Sequence, residues 1–155
     1  MSNIRITKEF RFEMAHALLG YDGLCSNIHG HSYQLMVTLI GQPLNDPSNA
    51  KNGMVMDFGE LKEIVKKEIL CRFDHALVLN AATPEKEKIS SIPLFEKIIF
   101  LPYQPTCENM LSNFAERIAK HLPNDVKLHS IKLRETINSY AEWFAEDNKF
   151  IKKMT

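Results

Sequence analysis

Hydrophobic and polar positions along this chain repeat with two different periods. From residue 7 to residue 16 the period is two: Phe10, Phe12, Met14 and His16 share one strand face, with Arg11 and Glu13 on the other. Residues 31–41 repeat it, with Tyr33, Leu35, Val37 and Leu39 on the face that carries His29 and His31. Glycines and an Asp in residues 20–24, and the turn chemistry of Asn45-Asp46-Pro47-Ser48-Asn49, bracket this β-unit. The period then becomes 3.6. Asp57 opens a helix as its N-cap, with Glu60 reaching back as the capping-box partner, and Leu61, Ile64, Val65 and Ile69 form its apolar stripe. A loop follows, whose run Glu85-Lys86-Glu87-Lys88 reads as solvated surface. Thr106 starts a second helix behind Pro105, and Leu111, Phe114, Ala115, Ile118 and Leu122 supply its core face before Pro123 stops it. Residues 128–136 and 139–145 return to strand composition. The order β-β-α-α-β-β predicts an α+β domain, two helices on one face of an antiparallel sheet. No repeat or low-complexity linker divides the chain, so residues 1–155 read as a single domain.

Composition narrows the function classes. A chain of 155 residues buries roughly two-thirds of its unfolded surface and needs no disulfide or metal staple to fold. Nineteen basic residues balance nineteen acidic ones with no basic run, so neither nucleic acid nor an anionic membrane is the expected partner. Three cysteines without framework spacing, and a polar N-terminus without a signal peptide, predict a reducing, cytoplasmic setting. The longest apolar runs fall far short of a membrane span. No Gly-rich nucleotide loop is present.

The densest chemistry lies in Cys25-Ser26-Asn27-Ile28-His29-Gly30-His31. Two histidines at i and i+2 put both imidazoles on one face of a strand, and His16 completes a three-ligand set if the two segments pair as a hairpin. Three neutral imidazoles with one open position are the usual layout of a catalytic zinc site. Cys25 is then the candidate nucleophile or base beside the metal. Glu135 breaks the alternation of Ile131 and Leu133, where a desolvated carboxylate is costly unless paired. It is either a solvated strand end or an anchor for a ligand that offers two adjacent N–H donors, as a pterin or purine edge does. Asp74-His75 is either a surface pair or, in a turn, a carboxylate-oriented imidazole facing a pocket. His121 and His129 have no evident partner, and Cys71 reads as a core thiol at the end of the first helix.

These motifs together resemble the 6-pyruvoyltetrahydropterin synthase family. Phe12-x-x-Ala15-His16, the Cys25-x-x-x-His29-Gly30-His31 run, Val55-Met56-Asp57-Phe58, Asp74-His75, Thr106-Cys107-Glu108-Asn109 and Glu135 occur in the family's order over nearly the whole chain. Three residues between the cysteine and His-Gly-His look like its 6-carboxytetrahydropterin synthase branch, which serves queuosine (7-deazaguanine) biosynthesis. Five look like the animal-type pyruvoyl branch. The resemblance implies a tunnelling fold, a homo-oligomer (commonly a hexamer of two trimers) with sites at subunit interfaces, and Zn2+ on His16, His29 and His31. It implies Cys25, Asp74 and His75 as proton-transfer residues, Glu135 as pterin anchor, and Thr106 and Cys107 at the pterin edge. The family often has Thr or Ser where Cys107 stands, so backbone contacts are expected there. The implied reaction is a lyase step that converts 7,8-dihydroneopterin triphosphate to 6-carboxy-5,6,7,8-tetrahydropterin with release of acetaldehyde and triphosphate. The alternatives are triphosphate elimination to 6-pyruvoyltetrahydropterin, or a zinc-bearing pterin-binding oligomer without turnover.

Overall fold

Two long strands carry the architecture of the computed structural model, which describes residues 2–148. The ends of the 1–155 span read as one domain lie outside the described residues. Strand β1 (Ile4–His16) and strand β2 (His29–Gly41) pair antiparallel without interruption, from Ile4 opposite Gly41 to His16 opposite His29. Their period-2 pattern puts Phe10, Phe12, Met14, Tyr33, Leu35, Val37 and Leu39 on one buried face. Helix α1 (Phe58–Val65) covers that face and continues through a wider turn, Lys66–Leu70, into the short α2 (Cys71–Phe73). Short α3 (Lys86–Ser90) lies exposed on the surface, as its charges predict. Helix α4 (Cys107–Ala119) packs beside them, with Phe114 against Phe12 and Phe73 at ring separations of 6.4 and 4.9 Å. Each fully buried apolar side chain of this layer is worth about 1.5–3 kcal/mol.

The sheet has six strands where the alternation pattern gave four. Strand β3 (Ala76–Asn80) runs parallel to β1, and β4 (Ile98–Leu101) runs parallel to β3. Strand β5 (Lys127–Arg134) pairs with β2, and β6 (Tyr140–Phe144) with β5, both antiparallel. The order is β4-β3-β1-β2-β5-β6, a mixed sheet with the β-β-α-α-β-β sequence extended by two parallel strands. The period rule missed them for a physical reason. Ala76, Leu77, Val78 and Leu79 are all buried, so the strand shows a continuous apolar run in place of alternation.

Two local expectations are corrected. Asp57 does cap α1, accepting from Gly59 N at 2.6 Å, but Glu60 pairs with the Lys51 ammonium and does not reach back. Cys71 is exposed, because the wider turn rotates it off the core face. No helix among the described residues is long and apolar enough to cross a membrane.

Candidate active site

Because His16 pairs with His29 across the hairpin and His31 follows on the same face, three imidazoles meet at one end of the sheet. Their ring centroids lie 4.6, 5.2 and 5.0 Å apart, and one nitrogen from each falls within 4.8 Å of the others. The second nitrogens settle the tautomers. His16 Nδ1 lies 2.7 Å from Pro105 O, and His29 Nδ1 lies 2.8 Å from Asn27 O. A carbonyl only accepts, so both Nδ1 atoms carry the proton and both Nε2 atoms present lone pairs. Those Nε2 atoms are 3.1 Å apart, and with both rings in that neutral tautomer there is no proton between them. Two facing lone pairs repel unless a cation stands between them, and tetrahedral zinc–imidazole bonds would set such atoms about 3.3 Å apart. Burial, the largest effect, pushes the imidazoles of His16 and His31 below their ordinary range and keeps both neutral, as metal ligands must be. The donor set fits a divalent metal.

Glu135 stands at the mouth of this cluster, one residue beyond β5. Its Oε1 accepts from Tyr33 Oη at 3.0 Å and lies 3.5 Å from His16 Nε2 and 3.7 Å from His31 Nε2. It is no solvated strand end: the side chain is 24% exposed and faces the histidines. Burial first, then the Glu135 charge and hydrogen bond, drive the Tyr33 phenol far above its usual range, so it stays a donor. Tyr33 was legible only as a core residue. The available signal was a phenol two residues after His31 on an otherwise apolar face, where a buried hydroxyl needs a partner.

Asp74 and His75 follow α2 and clip onto β1. His75 N donates to Glu13 O at 2.6 Å, and Asp74 Oδ1 accepts from Glu13 N at 2.9 Å. The same carboxylate lies 3.0 Å from His75 Nδ1, and the Lys97 ammonium donates to Asp74 O. His75 takes a left-handed backbone conformation, φ 59°, and its side chain is 76% exposed. It borders a cleft of about 480 Å³ with Ile28, His31, Phe95 and Lys97. A second cleft of about 570 Å³ is lined by Arg11, Tyr33, Arg134 and Glu135, and His31 walls both. Among the described residues no contact joins the His75 ring to the three histidines.

Cys25 sits half-buried in a single turn, Leu24–Ser26, its carbonyl accepting from Leu18 N at 2.9 Å. Thr106 and Cys107 have local duties. Thr106 Oγ1 caps α4 by accepting from Asn109 N, and the Cys107 thiol donates to Leu133 O at 3.3 Å, its pKa pushed up to about 12 by burial. His121 pairs with Glu68 at 3.1 Å, and His129 packs on Phe144.

A family profile described as 6-pyruvoyl tetrahydropterin synthase matches residues 5–146. The 6-carboxy-5,6,7,8-tetrahydropterin synthase of Haemophilus influenzae is 39% identical over 141 residues, covering 90% of this chain and 97% of its own length. The protein of the same name from Rickettsia typhi is 33% identical over 141 residues, covering 90% and 99%. Among solved structures, an uncharacterized protein from Wolinella succinogenes matches with TM-score 0.74 at 22% identity, over 93% of this chain and 99% of that one. The 6-pyruvoyl tetrahydropterin synthase of Caenorhabditis elegans matches with TM-score 0.66 at 23% identity, over 93% and 96%. The structural likenesses show the shared tunnelling fold, and the profile match across nearly all of the sequence places this chain in the 6-pyruvoyl tetrahydropterin synthase family.

Proposed function

We propose that the protein is a zinc-dependent lyase that converts 7,8-dihydroneopterin triphosphate and water to 6-carboxy-5,6,7,8-tetrahydropterin, acetaldehyde and triphosphate, in the cytoplasmic synthesis of 7-deazaguanines such as queuosine. The observation that carries it is the convergence of two proton-free Nε2 atoms beside a carboxylate held by a phenol. The three-residue spacing from Cys25 to His29, and the 39% identity to a relative named for the carboxy product, favour it over pyruvoyl formation.

His16, His29 and His31 would hold the zinc, which supplies a Lewis acid for the oxygens of the substrate side chain. Glu135 accepts two N–H donors of the pterin edge, kept aimed by Tyr33. Cys25, separated from His29 by three residues in the same loop-to-strand segment, would be the base that takes a proton from the side chain. His75, its Nδ1 oriented by Asp74, carries the second proton. With the Thr106 hydroxyl and Cys107 thiol already committed, this segment meets the pterin through its backbone. The same reading makes the protein a homo-oligomer, a hexamer of two trimers with sites between subunits, in which the exposed His75 and Leu94 at the cleft would face a neighbouring subunit.

Incubating the zinc-loaded protein with 7,8-dihydroneopterin triphosphate tests the reading by mass spectrometry of the products. The 6-carboxy pterin with acetaldehyde is expected. A 6-pyruvoyl product without acetaldehyde would move the chain to the sister activity, and unchanged substrate would leave a binding protein.

A further inference from the structure

The main chain of Leu19 has one hydrogen-bonding partner among the described residues, and it is a side chain. Gln104 Nε2 donates to Leu19 O at 2.7 Å while Gln104 Oε1 accepts from Leu19 N at 3.2 Å. The amide thus mimics a neighbouring strand. It is itself braced: Asn80 Nδ2 donates to Oε1 at 3.3 Å, and Gln104 O accepts from Thr106 N at 2.8 Å and from Asn109 Nδ2 at 3.0 Å. The next carbonyl, Pro105 O, receives the Nδ1 proton of His16. One dipeptide therefore grips a histidine of the metal cluster with its backbone and the 17–28 loop with a side chain.

That loop carries Cys25. Its far limb is already tied, because Asn27 O accepts from His29 Nδ1. Among the described residues its near limb, Leu18 to Tyr21, makes hydrogen bonds only within the loop itself (Leu18 N to Cys25 O, Tyr21 N to Leu18 O) apart from the two to Gln104. Without Gln104 the turn that holds the thiol would hang from one side. We propose that Gln104 is a positioning residue that fixes the Cys25 loop in register with His16, so that the thiol and the metal meet the same substrate. This rests on the proposed activity, in which Cys25 moves a proton. Misplacing a reacting group by about 1 Å costs on the order of 100-fold in rate.

The test compares Gln104→Met, which keeps the length and loses the bonds, with Gln104→Glu, which keeps the acceptor toward Leu19 N and Asn80 and loses the donor. For Gln104→Met, zinc content and KM should stay near wild type while kcat falls about 10- to 100-fold. Gln104→Glu should lie between the two. Hydrogen exchange of the zinc-loaded proteins should quicken in residues 17–27 and stay unchanged in 29–41. Unchanged exchange in 17–27, or full kcat despite faster exchange, would overturn the proposal, as would loss of zinc in step with activity. If the wild type turned over no pterin, the proposed activity would fall by itself, and the exchange measurement would still decide whether Gln104 holds the loop.

Discussion

Replacing Tyr33 with Phe removes a single oxygen from a side chain that is 1% exposed and stacked on Phe12 at 5.2 Å. The ring packing survives, so the change isolates the 3.0 Å bond to Glu135. Hydrogen bonds to charged groups contribute about 1.5–3 kcal/mol. Glu135 is 24% exposed, so water recovers part of the loss at Oε1, leaving about 1–2 kcal/mol. For a chain of this size that lowers Tm by about 2–8 °C. The same loss, felt by a carboxylate no longer aimed at the ligand, weakens pterin binding about 5- to 30-fold. Circular-dichroism melts of the metal-free protein and calorimetric titration with a pterin inhibitor measure the two effects, and zinc content should not change. A variant with wild-type Tm and wild-type pterin affinity would show that the phenol does not hold Glu135 in solution.

Four further outcomes are expected. A His29→Ala, His31→Ala double variant should lose its zinc, about one per chain, by metal analysis while staying folded, and unchanged zinc would end the ligand assignment. Cys25→Ala should keep zinc and pterin binding but lose about 10²–10⁴-fold in turnover, and a loss under roughly tenfold would make the thiol a bystander. Glu135→Gln should cost on the order of 2–4 kcal/mol of pterin binding, roughly 30- to 1000-fold by titration; wild-type affinity would refute the anchor. Burial holds His16 and His31 below the ordinary imidazole value of about 6.5, so the unfolded chain binds more protons than the folded one just below that pH. Stability of the metal-free protein, read from urea midpoints, should therefore be flat above that pH and fall as the pH drops below it; a midpoint that rises on acidification would contradict the buried, neutral cluster.

Much of this was legible where side chains alternate. His29 and His31 fall on one face by period alone, and His16 joins them only if the two segments pair as a hairpin, which is the pairing the structure has. Glu135 announced itself as a charge in an apolar position. What escaped depended on contacts between distant segments. Strand β3 lacks alternation because both its faces are covered, and the four residues of β4 are all apolar and half-buried or buried, so they show no alternation either. Tyr33 read as core because its ring is core, and only its oxygen has other business. Gln104 carried no signal at all, since its side chain bonds main-chain atoms 85 residues away and the Asn80 amide. Asp74 next to His75 was visible as a pair, but the Glu13 backbone that grips both sides of it was not.

The left-handed backbone of His75 sets stability and chemistry against each other at one position. A side chain with a Cβ gives up about 1–2 kcal/mol there, which is a sizeable share of the roughly 5–15 kcal/mol that keeps a domain folded. Glycine or asparagine would sit in that conformation more easily than histidine does. Selection for heat resistance alone would thus drift toward replacing the imidazole, producing sturdier proteins that keep the three-histidine cluster and, on the proposed reading, lose the second proton carrier at the cleft. Any programme to harden this scaffold has to hold position 75 constant and seek its gains elsewhere.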